Sequence, residues 1–218
     1  MSKPKLVIFD MDGLMLDTET IAIQGWKEAA SKLNITIPDD IYPHLIGINR
    51  DLCKITMEKW LGPDFDFDTA HAALHQSMDA QIKAHGIPLK PGLLHLLGKL
   101  EENGIKKSVA TGTGIKRAID KLTIVDIVHR FSTIVGGDQI LHSKPAPDIF
   151  LKAAEICNVS PSDCIVLEDS NPGAEGAYRA GMKVIVVPDL VPPTEATSNR
   201  ALAICKDLYQ AWELINTL

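Results

Sequence analysis

Long apolar runs are missing from this chain: no stretch approaches the ~18 consecutive apolar residues of a membrane-spanning helix. The apolar segment near the start, Leu6–Phe9, is too short for the hydrophobic region of a secretion signal, so a cytoplasmic protein is expected. An excess of positive charge is missing too. The 22 Lys and Arg stand against 28 Asp and Glu, for a formal charge of −6, which argues against a nucleic-acid polymer or a membrane as partner. Cysteine is sparse. Cys53, Cys157, Cys164 and Cys205 form no C-x-x-C pair, and buried reduced thiols are expected rather than disulfides. The 7 histidines are read as scattered side chains rather than zinc ligands, with His71, His75 and His85 as exposed residues. Trp26 and Trp60 are assigned to packing rather than to a stacking platform.

What is present is a rhythm. Residues 5–10 form a continuous apolar run bounded by polar residues, the pattern of a buried strand. Residues 105–111, "FSTIVGG", 163–169 and "MKVIVVPD" read as four further strands. The helical segments "PGLLHLLGKLEENG", 114–122, "APDIFLKAAEICNV" and "NPGAEGAYRAG" alternate with them. In the last of these Pro172 is placed at the first helical position. Such alternation means a parallel sheet covered on both faces. Residues 18–33 are helical, with Asp17 able to cap the start, and 40–85 contain no convincing strand. The expected fold is therefore α/β, a Rossmann-like parallel sheet core (1–15 and 86–218) with an inserted α-helical cap domain (16–85).

In an open parallel sheet the ligand crevice lies beyond the carboxyl ends of the strands. Asp10 and Asp12 follow strand one, Thr111 ends strand two, Lys144 lies after strand three, and Glu168 and Asp169 end strand four. Carboxylates so close together repel unless a cation or proton lies between them. Oxygen ligands suit Mg²⁺, which typically takes one or two carboxylates plus waters and phosphate oxygens. Asp10 and Asp169 are placed to hold it, with Glu168 as an accessory. A free Asp10 oxygen could then attack phosphorus to form an aspartyl-phosphate, and Asp12 could protonate the leaving oxygen and later take a proton from water. Lys144, Thr111 and backbone N–H groups around Gly13 and Gly112 are candidates for holding phosphate oxygens.

The segments "DMDGLMLDTE", "VATG", "SKPAPDIF" and "LEDSNPG" resemble the four motifs of the haloacid dehalogenase superfamily, in order and spacing. The helical insert after the first motif is similar to the branch containing β-phosphoglucomutase and small-molecule phosphatases, and "GMKVIVVPDL" is similar to the end of the core in pseudouridine-5′-phosphatase-like members. The resemblance implies Asp10 as nucleophile and Asp12 as acid/base, with the Asp12 carbonyl on Mg²⁺. It implies Thr111 and Lys144 on phosphate, and Glu168 with Asp169 at the metal. It also implies that Gly47 and Arg50, in "LIGINRD", contact substrate. Three departures qualify the match. Family mutases carry a cap histidine and lysine where this chain has Ala22 and Ile46, which favours hydrolysis. The dehalogenases lack the acid at position 12. The usual Thr-Ser of the second motif is Thr111–Gly112 here.

The expected activity is Mg²⁺-dependent hydrolysis of a small phosphorylated metabolite, a sugar phosphate or nucleoside monophosphate, by a chain for which a monomer is favoured. A phosphosugar mutase is the alternative. A phospho-receiver signalling domain is remote, because receivers draw their acids from strands one and three and are shorter.

Overall fold

The computed structural model describes residues 3–48 and 50–218. Strand β1 (Leu6–Phe9) is apolar and buried at every position: Val7 and Phe9 face one apolar layer, Leu6 and Ile8 the other. Burial on both faces explains a continuous apolar run in place of alternation. The strand lies at the centre of the sheet, between β2 (Lys106–Thr111) and β4 (Cys164–Glu168). With β3 (Thr133–Gly136), β5 (Lys183–Val186) and β6 (Ala203–Ile204) the order is β3-β2-β1-β4-β5-β6, every pairing parallel.

After β1 the chain runs through helices α1 (Thr18–Leu33), α2 (Arg50–Leu61) and α3 (Phe67–His85) before it rejoins the sheet. The two crossings lie side by side. The Asp17 N–H donates to the Pro88 carbonyl and the Lys90 N–H to the Met15 carbonyl, each at 2.9 Å. We propose that these crossings bound a cap domain. One apolar layer runs on from the sheet through Leu16 and Ile21 into Trp26, Phe67, Leu74 and Met78, so the helical insert is packed continuously with the core.

Helices α4 (Leu93–Glu102) and α5 (Ile115–Ile124) cover the Val7/Phe9 face of the sheet, and α6 (Asp148–Ile156) and α7 (Asn171–Arg179) cover the Leu6/Ile8 face. The remaining helices are α8 (Glu195–Arg200) and α9 (Leu208–Asn216), the latter joining the first layer. The four cysteines are free and buried, as expected. No described helix is long and apolar enough to cross a membrane.

Three local expectations are corrected. Asp17 occupies the N-cap position of α1, but its side chain makes no capping bond. Pro172 is the second residue of α7, which begins at Asn171 and is capped by the Ser170 hydroxyl accepting from the Gly173 N–H. The sheet has a sixth strand, only two residues long, too brief to leave a periodic signal.

Gly92 shows how tightly the first layer is assembled. It has φ +88°, and a Cβ there would lie 2.6 Å from the Tyr209 backbone nitrogen at the start of α9. Gly92→Ala is therefore expected to lower unfolding stability by about 2 kcal/mol or more, read in urea titration as a lower midpoint at unchanged slope.

Candidate active site

The strand register gathers the predicted residues at one rim. Phe9 is level with Val109 of β2 and Leu167 of β4, so Asp10, Thr111 and Glu168–Asp169 emerge together at the carboxyl edge. Lys144 reaches in from the connection after β3. Its Nζ donates to Asp10 Oδ1 and Glu168 Oε1, both at 2.5 Å, and to the Ala110 carbonyl at 3.1 Å. Asp10 and Glu168 are buried, and the Lys144 side chain is 13% exposed. Burial pushes the Asp10 carboxyl up to about 7; the Lys144 charge pulls it back and the Glu168 charge raises it further. Burial likewise opposes the charge on Lys144, but Asp10 and Glu168 outweigh it and hold the ammonium above its usual range. Asp169 is raised well above an ordinary carboxyl by burial first, then by the charges of Glu168, Asp10 and Glu19.

Glu168, predicted at the metal, has both oxygens engaged. Oε1 takes Lys144, and Oε2 accepts from the Ser170 N–H and hydroxyl at 2.9 Å each. Gly173 roofs it so closely that a Cβ there would fall 1.8 Å from Oε1. Gly13, with φ +86°, does the same for Asp169: a Cβ would meet its Oδ2 at 2.4 Å.

Asp12 is held in a different surrounding. Lys121 on α5 and the Thr18 hydroxyl both donate to its Oδ1 at 2.6 Å, and the Thr113 hydroxyl donates to Oδ2 at 2.7 Å. Burial opposes ionisation, but the Lys121 charge and these hydrogen bonds together bring the carboxyl down to about 2. Thr111, predicted on phosphate, is 1% exposed. Its Oγ1 accepts from the Thr113 N–H at 3.1 Å and lies 3.4 Å from Asp12 Oδ2. Nothing stands within 4 Å of where a Gly112 side chain would be, so that backbone faces open space.

These residues floor a cavity of about 410 Å³ whose far side is formed by the helical insert, including Ala22, Trp26, Arg50, His71 and His75. Ile46 is not among its described lining residues, though Leu45 and Ile48 are. Gly47, at φ +68°, brings the insert against the core at Ser170, where its Cβ would lie 3.1 Å from the serine Cβ. The Gly47 N–H also donates to Glu19. Arg50 pairs with Asp68 and lies 5.4 Å from the Phe67 ring centroid. The reading of His71 and His75 as scattered, exposed residues is corrected. They are four apart on α3, an H-x-x-x-H spacing, and both are half-buried and line the cavity. His85 is exposed.

Residues 7–187 match the family described as haloacid dehalogenase-like hydrolase. The chain belongs to that family. A phosphorylated carbohydrates phosphatase of Thermotoga maritima is 30% identical over 180 residues, 82% of each chain. The beta-phosphoglucomutase of Bacillus subtilis is 31% identical over 222 residues, 96% of each. A crystal structure of beta-phosphoglucomutase from Clostridium difficile superposes with a TM-score of 0.80 at 23% identity, over 98% of this chain and 99% of that one, and supports the fold.

Sequence reasoning passed over Lys121, Thr18, Thr113 and Glu19, all lining the hydrolase cavity. Lys121 had no sequence signal, being one of many lysines, whereas Thr113 lies two residues from a predicted site residue. Among the described residues no three carboxylate, imidazole or thiol groups form a ready metal cage. What fits Mg²⁺ is the chemistry of the donors: the carboxyls of buried Asp10 and Asp169 are both raised, Asp169 in part by the Asp10 charge, with Lys144 to offset them and Glu168.

Glu19 offers a pH test. Burial first, then the charges of Asp12 and Asp189, push it up to about 7. A carboxyl raised by folding holds its proton in the native state while the unfolded chain has lost it, so stability falls as pH rises from about 4.5 to about 7. Asp10 adds the same sign, whereas Asp12 adds stability that is present above the usual carboxyl range and lost as pH falls towards about 2. In EDTA the melting temperature is expected to fall across that upper window, and Glu19→Gln to flatten the slope; thermal unfolding at stepped pH measures both.

Proposed function

We propose that the chain is a Mg²⁺-dependent phosphatase of small phosphomonoesters, phosphorylated sugars first among them, working through an aspartyl-phosphate at Asp10. The observation that carries this reading is a pair of carboxylates two residues apart under one cavity, Asp10 buried and Asp12 half-buried, their pKa values driven in opposite directions, Asp10 to about 7 and Asp12 to about 2. The Thermotoga maritima phosphatase of phosphorylated carbohydrates supports the substrate class.

In this reading an Asp10 oxygen attacks phosphorus and the bond to the leaving oxygen breaks. Lys144, already hydrogen-bonded to Asp10, stands where a phosphoryl oxygen would arrive, alongside the open backbone at Gly112. Asp10 and Asp169, with the Asp12 carbonyl, would hold Mg²⁺, which when bound would neutralise the crowded carboxylates and the charge on the transferring phosphoryl group. Glu168 supports Lys144 and Ser170 in place of binding the ion directly. At rest Asp12 is ionised, the form that takes a proton from water as it attacks the acyl phosphate. Protonating the leaving oxygen in the first half requires Asp12 first to take up a proton from solvent as the Lys121–Asp12 bond opens on substrate entry. Gly47 and Arg50 belong to the substrate-facing side of the insert.

A mutase is the second reading, favoured by the 31% identity to the Bacillus subtilis enzyme. Ala22 lines the cavity where family mutases carry a histidine, and an alanine cannot move a proton.

Asp10→Asn is expected to lower phosphate release from an aryl phosphate by roughly a thousandfold or more, and EDTA to suppress wild-type release until Mg²⁺ is restored. Sugar-isomer conversion without free phosphate would favour the mutase instead. Lys121→Met removes the charge that keeps Asp12 acidic. The limb of the kcat/KM profile that Asp12 sets should then move up by about one pH unit or more, measured across stepped pH in a constant-ionic-strength buffer.

A further inference from the structure

The cap-side wall of the cavity carries two imidazoles that the proposed chemistry does not use. His71 and His75 lie one turn apart on α3, ring centroids 4.3 Å apart and edge to face. His71 is also flanked by Phe67 at 5.1 Å and Trp26 at 6.3 Å. Burial, followed by the Arg117 and His71 charges, brings His75 down to about 4. Burial, then Arg50 and Arg117, lowers His71 as well. Both rings are therefore neutral at physiological pH. The Nδ1 of His75 is enclosed without a hydrogen-bond partner among the described residues. A buried N–H with no acceptor is costlier than a buried lone pair, so the proton belongs on Nε2, leaving that N–H as the donor.

Charge around this cavity is already matched. Each lysine and arginine among the described lining residues has a carboxylate: Arg50 has Asp68, Arg117 has Asp79 at 3.0 Å, Lys121 has Asp12, and Lys144 has Asp10 and Glu168. A second anion entering beside the imidazoles would meet no unpaired cation among these residues and would have to displace Asp68 or Asp79 from its arginine. A neutral imidazole offers one donor and one acceptor, and a hydroxyl can answer either, whereas phosphate or carboxylate can only accept. Trp26, Leu74 and Met78 supply apolar surface beside them for a C–H face.

We propose that His71 and His75 form the leaving-group subsite, and that the leaving group is an uncharged, hydroxyl-bearing sugar or polyol with no second anionic group. This rests on the phosphatase reading above. The test compares kcat/KM, with Mg²⁺, for a hexose monophosphate, a polyol monophosphate, a hexose bisphosphate, phosphoglycolate and an aryl phosphate. The two neutral-tailed monophosphates should exceed the two doubly anionic substrates by about tenfold or more. His71→Phe and His75→Phe should each lower the ratio of sugar to aryl kcat/KM by about tenfold, the loss appearing in KM. His75→Gln, which keeps a donor, should recover part of that ratio. Equal or better turnover of the doubly anionic substrates overturns the proposal, as does an unchanged ratio in both Phe variants. A parallel fall on sugar and aryl substrates overturns it too, since that marks packing alone. If the wild type hydrolyses the aryl phosphate without a sugar preference, this proposal alone is lost. If it hydrolyses no phosphomonoester at all, the phosphatase reading goes with it.

Discussion

One ammonium between two buried carboxylates organises the rim: Lys144 joins Asp10, at the end of β1, to Glu168, at the end of β4. Charges taken out of water are tolerated only when paired and hydrogen-bonded, so these three side chains must stay in register or none can remain ionised. The central sheet supplies the register, since β1 and β4 are neighbours and Phe9 is level with Leu167. The glycines follow from it. Gly173 can approach Glu168, and Gly13 Asp169, only because neither carries a Cβ. The cluster keeps more negative than positive charge, and that imbalance is what a hard divalent cation would relieve.

Two residues of chain separate Asp10 from Asp12, yet their surroundings differ in kind. Asp10 shares its lysine with Glu168 and is raised by the charges of Glu168 and Asp12. Asp12 has Lys121 and donated hydroxyls from Thr18 and Thr113, which outweigh the burial it also suffers. Environment, not residue type, drives the pKa values of two identical side chains apart. The helical insert completes the division, because Thr18 opens α1 and Lys121 projects from α5, so the acid/base candidate is held jointly by both parts of the chain. The insert's own wall is neutral in sum, with Arg50 matched by Asp68, Asp79 matched by Arg117 of α5 and the imidazoles uncharged, and so it answers to shape and hydroxyls more than to charge.

Much of the fold was legible because its signals are local. An apolar run such as Leu6–Phe9 can be buried only on both faces, and alternating strand and helix patterns leave a parallel sheet as the economical packing. The rim acids were legible for a related reason: carboxylates placed directly after buried strands must emerge at one edge. The end of the chain was not legible, since β6 spans two residues and gains its meaning only by pairing with β5. Lys121 and the histidine pair were missed for opposite reasons. The lysine had no spacing to read, while the H-x-x-x-H spacing was present but passed over.

By itself, then, the sequence determined the parallel α/β core, the helical insert, and the identities of the carboxylates and lysine that meet at the strand ends, because strand periodicity and the position of residues after a strand are properties of short stretches. Only the tertiary structure decided which lysine serves which acid, how far each carboxyl moves from its usual pKa, and that two half-buried imidazoles face the same cavity. Those outcomes depend on distances between residues about 100 positions apart, such as Asp12 and Lys121, and on how much water remains around them.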